Sequence, residues 1–207
     1  CEGNVSIKDI SYEVSLLAIQ GPRSRDILQT LTDSNLGSVK FYHFINGKIT
    51  GHDALISRTG YTGELGYEIY INSEKVSDVW GRIMEAGSEH GIEPVGLGCR
   101  DTLRLEMKYP LYGDDINEST NPIEAGLGWI TRLGKTDFIG KNSLIEKKNK
   151  VNRRLVCIEM LDRAIPRSGC QIFVDNELVG TITSGTMSPS LSKGIGLGYV
   201  NTPYTEA

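Results

Sequence analysis

A glycine-rich loop followed directly by a β-prone segment constrains the fold of this chain more than any other feature. Residues 60–66 contain three glycines, which are needed where the backbone takes positive φ or where another group approaches closely. The alternating residues 67–70 predict a strand that leaves this loop. Glu68 is therefore expected on a strand, with Tyr61 and Glu64 on the loop beside it. From the pattern alone, a tight hairpin with a solvated glutamate is the favoured interpretation.

The first part of the chain mixes strand and helix patterns. Apolar, partly β-branched runs predict strands at 14–19 and 54–57, and Asn46-Gly47 predicts a type I′ hairpin turn between two strands. One-sided apolar periodicity predicts helices at 73–89 and about 98–108. The inward face of the second helix is expected to carry Leu103, Met107 and Cys99.

The pattern changes after about residue 151, where short strands separated by turns replace the helices. Asp175-Asn176 is a hairpin-type turn. A boundary is expected between residues 136 and 151, and the part after it is expected to be the start of a small all-β unit. The predicted strands of this second part are 155–161, 171–174, 178–183 and 195–200.

Composition argues against several classes of protein. The formal net charge of −4 over 207 residues argues against nucleic acid or an anionic membrane as the main partner. Four widely spaced cysteines without a CxxC pair predict free, buried thiols in a reducing compartment. Three histidines without an HExxH pattern give a metal site little support. No apolar run is long enough to span a bilayer, and no signal peptide is recognised.

Six stretches stand out in order along the chain, at 17–22, 60–69, 96–106, 109–113, 121–127 and 183–191. Together they resemble the T-protein family of the glycine cleavage system, the aminomethyltransferases. Each stretch is moderately specific, and their order makes the resemblance strong and nearly chain-wide.

The resemblance implies the fold class α+β, with a ferredoxin-like folate-binding domain over residues 1–135 followed by part of a C-terminal β-barrel domain over 151–207. It implies transfer of a one-carbon unit from the aminomethyl-lipoyl H-protein to tetrahydrofolate, with release of ammonia. The implied partner is the lipoylated H-protein, the co-substrate is tetrahydrofolate, and no metal is involved. The expected compartment is the bacterial cytoplasm, with the mitochondrial matrix as the alternative.

The resemblance also implies roles for individual residues. Glu68 matches the family's pterin-holding glutamate, whose carboxylate accepts two parallel hydrogen bonds from the pterin. Arg100 matches its folate-site arginine, although an ion pair with Glu93 or Asp101 is the simpler interpretation of that residue alone.

Aromatic residues are the other implied part of the folate site. Tyr61, Tyr109 and Tyr42 match aromatic positions that line the family's folate channel, where flat rings favour aromatic walls. Core packing is the competing interpretation for each tyrosine. Asp114 and Asp115 resemble a catalytic pair, but the family gives them no such role, and a turn at the preceding glycine explains them.

The implied catalytic aspartate lies upstream of Cys1, and the last folate-binding arginine lies beyond Ala207. The 207 residues are therefore expected to be a fragment that alone binds folate weakly at most and turns over negligibly. Two other functions stay open: a folate-binding relative that assists iron–sulfur assembly, and a folate-dependent demethylase or related oxidising enzyme. The first carries a Lys-Gly-Cys-Tyr-x-Gly-Gln-Glu loop, which differs from residues 58–64 here.

Overall fold

A computed structural model describes residues 3–205 of the chain. They form two compact units that divide between Gly96 and Leu97. Each unit combines helices with an antiparallel sheet, so the predicted α+β class is confirmed. No helix within residues 3–205 is long and apolar enough to cross a membrane.

The first unit is a four-stranded antiparallel sheet in the order β1-β4-β3-β2, with two α-helices and three short 3₁₀ turns. Its strands are β1 (Val14–Gln20), β2 (Phe44–Ile49), β3 (His52–Ser57) and β4 (Gly66–Asn72). Its helices are α1 (Ser24–Gln29) and α2 (Val76–Gly87), and the 3₁₀ turns span Leu36–Ser38, Ser73–Lys75 and Ser88–His90.

The core of this unit lies on one face of the sheet, because alternate residues of a strand point to opposite faces. On β4, Tyr67, Ile69 and Ile71 are buried in one cluster with residues of both helices, such as Val79 on α2. The intervening Glu68 therefore belongs to the opposite face. That face also carries exposed apolar side chains, namely Leu16, Phe44 and Tyr70.

The predicted turn at Asn46-Gly47 is wrong. Both residues lie inside β2, and the chain reverses at Thr50-Gly51, between the paired residues Ile49 and His52. Thr50 and Gly51 take φ values of 50° and 86°, the two positive values that a type I′ turn requires. Gly47 is needed for a different reason, since a Cβ there would lie 2.5 Å from the Ser34 hydroxyl.

The second unit contains a four-stranded antiparallel sheet in the order β5-β8-β7-β6. The turn predicted at Asp175-Asn176 is confirmed by φ values of 49° and 68° at these residues. The elements are α3 (Leu97–Glu106), α4 (Lys141–Lys148), β5 (Arg153–Glu159), β6 (Gln171–Val174), β7 (Glu177–Ser188), β8 (Lys193–Asn201) and a 3₁₀ turn at Thr202–Tyr204.

The inward face predicted for α3 is wrong. Met107 and Cys99 are exposed and Leu103 is only half-buried, while Arg104 and Leu105 are buried. The prediction followed apolar residues, whereas a charged side chain occupies the most buried position of the helix.

The cysteine prediction is also partly wrong, since Cys99, Cys157 and Cys170 are free but exposed rather than buried. Cys1 lies outside the described residues.

Candidate functional site

Glu68 lies near the start of β4, a central strand of its sheet. It is opposite Ala18 of β1 on one side and opposite Ser57 of β3 on the other. Hydrogen bonding to both neighbouring strands holds the backbone of Glu68 more rigidly than a loop would. The residue is half-buried. Its backbone position is therefore fixed, while its side chain stays partly accessible to solvent.

The carboxylate of Glu68 is oriented by a short chain of hydroxyl groups. The Thr59 hydroxyl donates to Oε2 of Glu68, and the Ser57 hydroxyl lies 2.9 Å from the Thr59 oxygen. Because the single proton of Thr59 is used on the carboxylate, Ser57 is the donor in the second contact. Thr59 uses one of the roughly four acceptor positions of a carboxylate, so this arrangement can present further acceptors to the N–H groups of a flat heterocycle.

The glycine-rich loop beside Glu68 is held by the side chain of Gln20. The amide nitrogen of Gln20 donates to the carbonyl oxygens of Thr59 and Tyr67, at 3.3 and 3.4 Å. Its carbonyl oxygen accepts from the Thr62 hydroxyl at 3.2 Å. Sequence reasoning missed Gln20 and Thr59 as site residues, although both lie in or next to stretches that carry the family resemblance.

Two of the predicted aromatic residues lie in this first unit. Tyr61 is half-buried on the loop. Tyr42 is 63% exposed, and its ring centroid lies 4.1 Å from that of Phe41, so core packing does not explain it. Tyr67 is the aromatic residue of the region that does belong to the core, where its hydroxyl donates to the carbonyl oxygen of Leu36 at 3.2 Å. The second carboxylate of the loop, Glu64, is exposed.

The other two predicted residues lie in the second unit. Arg100 is exposed in the first turns of α3, and Tyr109 is half-buried just after that helix. The structure thus brings Glu68, Tyr61 and Tyr42 into one unit, and Arg100 and Tyr109 into the other.

A buried guanidinium, which sequence reasoning missed, organises the segment after α3. Arg104 is 1% exposed and forms an ion pair with Asp115. It also donates to Asp101 at 2.7 Å, to the Tyr109 carbonyl oxygen at 3.0 Å and to the Ser184 hydroxyl at 2.9 Å. Burial alone would lower the pKa of Arg104, but the hydrogen bonds and charges of the two aspartates raise it above its ordinary value.

Asp115 does more than form a turn. Its side chain is fully buried, and besides Arg104 it accepts from the backbone nitrogen of Leu111 at 2.9 Å and from the Thr183 hydroxyl. The ion pair is therefore hydrogen-bonded to the backbone on both sides of residue 110. Arg104 binds the carbonyl oxygen of Tyr109, and Asp115 binds the nitrogen of Leu111. No sequence pattern indicates this pair, because its members are 11 positions apart in a turn-rich segment.

Within residues 3–205, no group of three or more histidine, cysteine, aspartate or glutamate side chains is arranged to hold a metal ion. The carboxylate of Glu68 can accept hydrogen bonds from an organic ligand that presents N–H donors.

Comparison with known proteins connects this geometry to one family. The family model described as the GCVT N-terminal domain matches residues 1–135, and the glycine cleavage T-protein C-terminal barrel domain matches residues 153–207. The aminomethyltransferase of Halothermothrix orenii is 53% identical over 92% of this chain and 54% of its own length. That of Chloroherpeton thalassium is 48% identical over 99% of this chain and 57% of its own length.

A solved structure agrees with these matches. The crystal structure of glycine cleavage system aminomethyltransferase T from Bartonella henselae superposes with a TM-score of 0.84 at 30% identity, covering 92% of this chain and 52% of that chain. The chain spans about half the length of the curated relatives that it matches. On the evidence of the matching family models and of relatives about half identical to it, the chain belongs to the glycine cleavage T-protein family.

Proposed function

We propose that this chain supplies the part of a tetrahydrofolate-dependent aminomethyltransferase that binds the pterin ring. In the proposed reaction, the one-carbon unit passes from the aminomethyl-lipoyl H-protein to tetrahydrofolate, and ammonia is released. Tetrahydrofolate, when bound, supplies the nitrogen atoms that accept the one-carbon unit. We place the reaction in the bacterial cytoplasm, because the relatives named above are bacterial aminomethyltransferases.

The placement of Glu68 is the observation that carries this proposal. A pterin presents an amino group and a ring N–H side by side, and a carboxylate accepts both in parallel. Glu68 stands on a central strand between β1 and β3, with Thr59 holding one of its oxygens. A carboxylate that is fixed in this way before the ligand arrives loses little conformational entropy on binding.

We also propose folate-binding roles for the three tyrosines and for Arg100, each within its own unit. Tyr61 lies on the loop beside Glu68 and is proposed to contact the flat ring system, and Tyr42 and Tyr109 are proposed as further aromatic walls. The guanidinium of Arg100 is proposed to bind a carbonyl or carboxylate group of the folate, since its fork of N–H donors suits such oxygens. Arg100 is an exposed residue of α3.

The replacement Glu68→Gln tests the proposal in the full-length protein that contains this chain. A glutamine presents a donor where the pterin also presents donors, so we expect tetrahydrofolate affinity to fall by about 1–3 kcal/mol, or roughly five- to 150-fold in Kd. Anaerobic isothermal titration calorimetry measures the change.

Glu64→Gln is the matched control, because it makes the same chemical change on the exposed carboxylate of the same loop. We expect the Kd of this variant to stay within about twofold of the parent value, as is usual for exposed substitutions. If Glu68→Gln binds tetrahydrofolate as tightly as the parent protein does, the proposed pterin site is wrong.

A further inference from the structure

Gln20 connects the two ends of the glycine-rich loop. It is the last residue of β1 and pairs with Gly66, while Ala18 of the same strand pairs with Glu68. Residues two apart on a strand point to the same face, so the side chains of Gln20 and Glu68 belong to one face of the sheet. From that face, the Gln20 amide group makes the three hydrogen bonds to Thr59, Thr62 and Tyr67 described above.

Two glycines of the loop leave the space that the Gln20 side chain fills. A Cβ added at Gly60 would lie 2.0 Å from Oε1 of Gln20, and one added at Gly66 would lie 2.1 Å from the same atom. Neither glycine takes a positive φ. A side chain at either position would therefore displace the Gln20 amide group, whereas backbone conformation does not require glycine there.

The hydrogen bonds of Gln20 fix the distance between the two ends of the glycine-rich loop. One nitrogen atom holds the carbonyl oxygens of Thr59, just before the loop, and of Tyr67, just after it. Thr59 is also the residue whose hydroxyl meets Glu68, the neighbour of Tyr67 in the chain. Gln20 thus closes a ring of contacts that includes the Thr59–Glu68 hydrogen bond.

We propose that Gln20 is a positioning residue for the pterin, acting through Thr59 and Glu68 on one side and through the loop that carries Tyr61 on the other. This inference rests on the proposed function. Without the Gln20 amide, the loop and its flanking residues lose three hydrogen bonds to the end of β1, although Leu65 is still held by Gly21 and Ser24. We expect the carboxylate then to be presented in a less uniform orientation before the ligand arrives. Preorganisation of this kind changes affinity without any direct contact to the ligand.

Gln20→Met tests the inference in the full-length protein, because methionine has a similar length but makes none of the three hydrogen bonds. Gln29→Met is the matched control. The Gln29 amide also makes three hydrogen bonds to backbone groups, with Thr32, Ser34 and Leu36, at 3.1, 2.9 and 3.0 Å, but none of them is in the glycine-rich loop. We expect Gln20→Met to raise the Kd for tetrahydrofolate by about tenfold, and Gln29→Met to leave it unchanged.

A second ligand separates an effect on the pterin from an effect on the rest of the folate. Tetrahydropterin lacks the benzoylglutamate part of tetrahydrofolate, and we expect Gln20→Met to weaken both ligands by the same factor. Gln20→Glu provides a second variant that keeps the size of the side chain and the acceptor for Thr62. It places an oxygen against two carbonyl oxygens, so we expect it to weaken both ligands at least as much.

The outcomes distinguish this inference from the proposed function. If Gln20→Met and Gln20→Glu bind both ligands as the parent does while Glu68→Gln is weakened, the role of Gln20 is wrong and the pterin site stands. Equal weakening by Gln29→Met also overturns the role of Gln20, because the effect is then general. If Glu68→Gln also binds as the parent does, the proposed function itself fails.

Discussion

Replacing Arg104 with methionine should destabilise the second unit severely. Methionine keeps much of the buried volume but leaves the carboxylate of Asp115 with two remaining donors, the Leu111 nitrogen and the Thr183 hydroxyl. The side chains of Arg104 and Asp115 are 1% and 0% exposed, so solvent cannot replace the lost partner. The variant therefore contains an uncompensated charge in the protein interior.

The expected cost follows from that burial. Removing one partner of a buried ion pair costs about 3–5 kcal/mol. At roughly 2–4 °C per kcal/mol for a chain of this size, the melting temperature should fall by about 6–20 °C. The double variant Arg104→Met/Asp115→Asn should recover part of this loss, because it leaves no unpaired buried charge. The side-chain oxygen of the introduced asparagine would still accept from the Leu111 nitrogen.

Hydrogen exchange of backbone amides is the assay, because it reports stability unit by unit. We expect protection to fall in β7, which carries Ser184, and to stay unchanged in β4 of the first unit. Arg82→Met is the matched control, since Arg82 is 58% exposed and its ion pairs with Asp78 and Glu85 are 3.9 and 3.8 Å long. Such exposed pairs contribute about 0–1 kcal/mol. If Arg104→Met lowers the free energy of unfolding no more than Arg82→Met does, the buried ion pair does not stabilise the packing of α3 against β7.

Two further predictions concern the turn at residue 50 and the phenol of Tyr199. Thr50→Asn should raise the free energy of unfolding in urea by about 1 kcal/mol, because asparagine tolerates positive φ better than a β-branched residue does. An unchanged free energy of unfolding would contradict backbone strain at Thr50. Burial and the charge of Glu124 raise the pKa of Tyr199, so above pH ~10 the unfolded state loses this proton first and stability falls with rising pH. Tyr199→Phe should make that alkaline decline shallower between pH ~9 and ~11, and an identical decline in both proteins would refute the assignment.

The strand and loop around Glu68 were predictable because their signals are local. Alternation in residues 67–70 and three closely spaced glycines need no knowledge of distant contacts. The structure has β4 span Gly66–Asn72, which includes the predicted segment 67–70 and extends it by one residue before and two after. The contacts of Gln20 were not predictable, because they depend on the pairing of β1 with β4, which joins residues more than 40 positions apart.

The error at Asn46-Gly47 shows that two glycines can be needed for different reasons in one hairpin. Gly47 makes room for Ser34 and Gly51 provides a positive φ, but a sequence pattern shows only that both are glycines. Asn-Gly is the stronger statistical turn signal. The contact with Ser34 and the pairing of Ile49 with His52 place the turn elsewhere.

Arg104 and Asp115 could not be identified from the sequence, because a charged residue on a helix normally marks the exposed face. The burial of Arg104 depends on Ser184, which lies 80 positions later in the chain. The functional roles of Glu68, Arg100, Tyr61, Tyr109 and Tyr42, and the domain division at 135 and 151, stay predictions.

The contacts of α3 with β7 bear on the order in which the chain can fold during synthesis. The helix lies within the stretch matched by the N-terminal family model, and the strand lies within the C-terminal match. Thr102, Arg104 and Glu106 of α3 meet Thr186, Ser184 and Ser188 of β7, respectively. We therefore expect α3 to remain without its partners until β7 has left the ribosome, so an exposed, half-formed helix should accompany translation of the residues between them.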